Sequence, residues 1–152
     1  MKKLMTITLA LCAVIVALAC GSDNPEVDEL ESIGDSCFHL ARTLSRKREN
    51  CTEAFTDEQM QHITQMMTLT DTSLSNMENL LEQDSPLTED QTAYSHDLEN
   101  EINNYRNELK SRNLQDIDAG RYSYQLGVFY VDFICECERL ADYVINIVET
   151  NE

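Results

Sequence analysis

From Tyr122 onward, apolar residues recur as Leu126, Tyr130, Phe133, Cys137, Leu140, Val144 and Ile147, always three or four positions apart. A strand brings every second residue to one face, whereas this spacing returns to the same side of a helix at about 3.6 residues per turn. The stripe therefore predicts a long final helix with one buried face. Such a helix is marginal alone in water, so the rest of the chain must supply surfaces for it to pack against.

Three further segments repeat the pattern. Leu30, Ile33, Cys37, Leu40 and Leu44 predict a helix over Pro25 to Arg48. Thr56-x-x-Gln59 is a capping box that opens a second helix, whose expected buried face is Met60, Ile63, Met67, Leu74, Met77 and Leu81. Methionines at this spacing fill gaps in a core and are not read as soft-metal ligands. Pro86 stops that helix, and Thr88-x-x-Gln91 caps a third. The third carries Tyr94, Leu98, Ile102, Tyr105 and Leu109 on one side and charges elsewhere, which predicts a peripheral helix ending between Asn113 and Gly120. No alternating strand pattern competes, and 152 residues suit one domain. The expected fold is an all-α antiparallel helical bundle.

The first residues are set aside from that core. Met1, Lys2 and Lys3 precede the apolar run Leu4 to Ala19, the layout of a secretory signal, so residues 1–19 are read as a signal peptide, 20–26 as a tether and 27–150 as the bundle. Ala17-Leu18-Ala19-Cys20-Gly21 resembles a bacterial lipobox, which makes Cys20 the lipidated first residue and the membrane a partner through a lipid anchor. Ordinary cleavage after Ala19 is the alternative and leaves Cys20 a free thiol. Either route places the bundle in the cell envelope, where disulfides persist, and Cys37, Cys51, Cys135 and Cys137 can then pair in any of the three connectivities that four cysteines allow.

The formal charge of −17, with 28 Asp and Glu against 11 Lys and Arg, argues against nucleic acid as a partner. The one basic cluster, Arg42 to Arg48, is read as complementing a helix C-terminus. Two acidic pairs stand out instead. Glu31/Asp35 and Glu138/Asp142 are each four residues apart and fall beside an apolar stripe, where like charges repel. Either solvent screens them, as on any acidic flank, or a basic side chain or hard divalent cation sits between them. His39, His62 and His96 show no ligand spacing, no nucleophile triad can be assembled, and no enzyme is expected.

The segment FYVDFICECERLADYVINIVE resembles the signature helix of PhoU-type domains, whose motif runs Glu-Arg-Ile-Gly/Ala-Asp followed by Asn-Ile. Here it stands as Glu138-Arg139-Leu140-Ala141-Asp142 and Asn146-Ile147. An earlier copy, Glu31-Ser32-Ile33-Gly34-Asp35, keeps the acids and replaces the arginine with Ser32 and the asparagine with His39. The segment ENEINNYRNELKSRNLQDIDAGRYSYQLG is similar to the one before the signature in the C-terminal tails of bacterial sodium/phosphate cotransporters. The resemblance implies one complete three-helix repeat preceded by the last helix of another, and a role in regulating phosphate transport by docking to a membrane protein. It also implies a metal site in which Glu99 and Asn103 join Glu138 and Asp142, with Glu31 and Asp35 as the corresponding pair of the incomplete repeat. A lipid-anchored structural protein and a metal-binding bundle are the alternatives.

Overall fold

A computed structural model describes residues 25–151 apart from residue 84; the expected signal peptide, most of the tether and Cys20 lie outside the described residues. The chain forms four helices: α1 (Pro25–Asn50), α2 (Asp57–Leu81), α3 (Glu89–Asp118) and α4 (Tyr124–Thr150). Both sequence-predicted capping boxes form: Gln59 N–H donates to the Thr56 hydroxyl while Thr56 N–H donates to Gln59, and Thr88 and Gln91 do the same. Gly120, at φ 69°, ends the turn after α3 in the left-handed region that only glycine adopts without strain.

Helices consecutive in the chain run antiparallel, as do α1 and α4, whereas α2 and α4 run parallel, with His62 beside Tyr130 and Thr70 beside Cys137. A constant register links α1 to α4 through Glu29 with Asn146, His39 with Glu136, and Asn50 with Gln125. Tyr105 with Gln65 and Asn76 with Ser95 set α2 against α3, while Arg106 with Glu138 and His96 with Glu149 set α3 against α4. Helix α4 touches all three others, α2 and α3 pack on each other, and α1 rests chiefly on α4. The result is a three-helix unit of α2, α3 and α4 with α1 laid along its outer side. Helix α3 is thus a full member of the unit, and α1 has the fewest neighbours.

All seven positions of the α4 stripe are buried, Leu126, Leu140 and Ile147 completely so. Each such aliphatic side chain contributes about 1.5–3 kcal/mol by leaving water, which is why this helix organises the fold. The expected face of α2 needs correction. Met60 and Leu81 are exposed, whereas Gln59, Met66, Thr70, Ser73 and Leu80 are buried with Ile63, Leu74 and Met77. The buried face includes polar residues: the Thr70 hydroxyl donates to Met66 O at 3.0 Å, and Gln59 Oε1 accepts from Thr56 N–H at 3.0 Å. Tyr94 of α3 is likewise exposed.

The two-bridge disulfide arrangement does not fit the fold, because every connectivity needs Cys51 and no other cysteine lies within its reach. The Cys51 N–H continues the helical ladder to Lys47 O at 2.8 Å, so Cys51 lies roughly 20 Å along α1 from Cys37 at about 1.5 Å per residue. The α1–α4 register sets it roughly 15 Å from Cys135 by the same rise, and a disulfide needs Cα atoms within about 7 Å.

Candidate functional site

The α3–α4 seam gathers the acids of the signature motif. Glu138 and Asp142 sit one turn apart on α4, half-buried, and α3 presents Glu99, Asn103 and Arg106 to them at successive turns. Arg106 Nη2 donates to Glu138 Oε1 at 2.7 Å and to Asn103 Oδ1 at 2.5 Å. Asn103 Nδ2 in turn donates to Glu99 Oε1. The guanidinium is only 21% exposed and the Glu138 side chain 16%, so this is a largely desolvated pair, stronger than one on the surface.

One arginine does not offset three carboxylates. Burial, and then the charge of Asp142, pushes the Glu138 carboxyl above its ordinary value against the pull of Arg106 and Arg139. Burial, and then Glu99, does the same to Asp142. The seam holds more negative charge than Arg106 neutralises, and the arginine is what makes its burial tolerable.

Glu99, Asn103, Glu138 and Asp142, expected as a metal set, are thus brought to one seam but do not fit a metal ion. Arg106 already uses Asn103 Oδ1 and Glu138 Oε1, two of the oxygens a hard cation would need. Among the described residues no group of three or more His, Cys, Asp or Glu is placed to hold one. Glu31 and Asp35 do not join the site at all, since both are exposed on α1. Solvent screens that first acidic pair, and a guanidinium answers the second. Asn146 of the motif reaches across to α1, donating to Glu29 Oε1 at 3.1 Å.

Sequence reasoning missed Arg106. Its signal was there, seven residues after Glu99 and three after Asn103, which places all three on one helical face. A second polar cluster was also missed, at the other end of the three-helix unit. His62 Nδ1 and Tyr130 Oη are 3.0 Å apart, the Tyr122 hydroxyl donates to Asn113 Oδ1 at 3.0 Å, and Arg112 pairs with Glu58. Burial, then Arg112, lowers the His62 pKa, and burial raises both tyrosines. Gly127 is what lets α3 close on α4 here, for a Cβ at this position would stand 2.5 Å from Ile117 Cδ1 and 2.9 Å from Asn113 Oδ1.

The two thiols of α4 are poor nucleophiles. Burial pushes Cys137 up to about 12, and burial raises Cys135 as well. No family model, curated protein or solved structure matches the chain. No helix among the described residues is long and apolar enough to cross a membrane.

Proposed function

We propose that this chain is a non-enzymatic PhoU-like helical domain of the bacterial cell envelope, held there by the lipid on Cys20, which acts by docking to a membrane protein of sodium/phosphate cotransport. The observation that carries the reading is the inward use of the motif acids: Glu138 and Glu99 are joined through Arg106 and Asn103 into a brace between α3 and α4. A motif used as a brace leaves function to the outer surface, and the unreactive thiols of Cys135 and Cys137 favour binding over catalysis. The arrangement of one three-helix unit with a single extra helix is also the one the motif resemblance implies.

The test is crosslinking of the tagged, exported chain in bacterial membranes, followed by identification of the attached proteins. Recovery of a phosphate-transport component supports docking; reproducible crosslinks to unrelated proteins alone reject it. Mass spectrometry of the mature N-terminus checks the anchor separately, since an acylated Cys20 and a free thiol differ by the mass of the lipid.

A further inference from the structure

The α1–α4 seam opens into a groove of about 300 Å³, lined by His39, Arg42 and Arg46 from α1 and by Asp132, Glu136 and Arg139 from α4. Spacing of four stacks Arg42 with Arg46 on one helix and Asp132 with Glu136 on the other. A basic rail thus faces an acidic rail. Yet Arg42, Arg46 and Asp132 make no ion pair among the described residues, where the pairs belong to Arg106, Arg112, Arg121, Arg139 and two histidines. In a sequence with 28 Asp and Glu, two adjacent arginines without a carboxylate partner are unexpected.

Glu136 supplies the second observation. It is only 8% exposed, and its Oε2 accepts from Arg139 Nη1 at 3.1 Å. Its Oε1 is buried and accepts no hydrogen bond, with His39 Nδ1 standing 3.8 Å away, beyond hydrogen-bond reach. A buried carboxylate oxygen without a donor is costly, and native proteins rarely leave one. The groove therefore combines two guanidinium groups that lack an anion with one carboxylate oxygen that lacks a donor.

We propose that this groove binds a small zwitterion of the amino-acid class, its carboxylate held by Arg42 and Arg46 and its ammonium by Glu136 and Asp132. The guanidinium fork matches a planar carboxylate. The orphan acceptor suits a ligand cation that carries N–H. No Phe, Tyr or Trp lines the groove to receive a quaternary ammonium through its ring face. The volume lies at the small end of ligand sites, and the polar lining favours a ligand with little apolar body. Entry to Glu136 Oε1 requires the half-exposed His39 side chain to swing aside.

Amide NMR of the isotopically labelled chain tests this without any docking partner, so its outcome is separate from that of the proposed function. The probes are L-serine, acetate as carboxylate alone, ethanolamine as ammonium alone, trimethylglycine as a zwitterion without N–H, and inorganic phosphate. Serine is expected to give saturable shifts centred on residues 39–46 and 132–139, with each other probe at least about tenfold weaker. Arg42→Ala/Arg46→Ala and Asp132→Asn change exposed residues and should keep the helical circular dichroism while weakening serine about tenfold. Phosphate or acetate binding as tightly as serine, serine binding unchanged in these variants, or no saturable shift with any probe overturns the proposal.

Discussion

Helix α4 has charged seams with two neighbours, and they treat charge in opposite ways. Toward α3, Glu138 meets Arg106 at 2.7 Å and the acids are locked to a guanidinium. Toward α1, Asp132 and Glu136 face Arg42 and Arg46 across a groove, without ion pairs to either arginine. The same device, charges four residues apart on a helix face, makes a structural brace where the helices close and an accessible polar groove where they do not. Distance decides which, because a charge pair gains strongly from contact only when water is excluded.

The sharpest way to break the contrast is Arg106→Leu. It leaves Glu99, Glu138 and Asp142 without their cation in a half-buried seam, and a loss of about 2 kcal/mol at neutral pH is expected, between the values for exposed and fully buried pairs. Urea unfolding measures it. The loss should shrink on acidification, as the carboxyls protonate and no longer need the arginine. Gly127→Ala attacks the same seam by sterics, forcing a methyl into Ile117 and Asn113; overpacking of this kind costs about 1–3 kcal/mol, readable as a lower thermal midpoint.

Asp142→Asn works in the other direction. Its carboxyl has a folded-state pKa above the ordinary 3.8, so the charge penalty is full above the folded value and is relieved as pH falls through it. The variant should therefore gain a few tenths of a kcal/mol at neutral pH, about the cost of a like-charge pair one turn apart. The gain should fade as the pH approaches the ordinary carboxylate range, where the native residue protonates itself. On the α1 side, Arg42→Ala/Arg46→Ala should change stability by no more than about 0.5 kcal/mol, as for exposed positions without partners. A loss as large as that of Arg106→Leu would mean that the two seams are built alike.

The fold class was legible because helix starts and stripes are local. Thr56-Gln59 and Thr88-Gln91 cap their helices through their own side chains, and the α4 stripe is buried at every position. The α2 face was misread because apolar spacing alone selected Met60 and Leu81, while the real face turns toward Gln59, Thr70 and Ser73. Thr70 and Gln59 find hydrogen-bond partners within their own helix or its cap, and which face a neighbouring helix then covers is a tertiary fact. The same holds for the site. Spacing marked Glu138 and Asp142 as a pair needing an answer, but whether that answer was metal, water or arginine depended on where α3 runs.

The position of α1, laid along α4 outside the three-helix unit, makes Cys137 a natural clock. Its thiol is 1% exposed and pushed up to about 12 by burial, and α1 is the helix with the fewest neighbours. If α1 lifts off before the other three helices separate, alkylation of Cys137 will proceed faster than global unfolding allows and will be insensitive to Arg106→Leu. The rate of that one reaction then reports how often the chain exists as three helices instead of four.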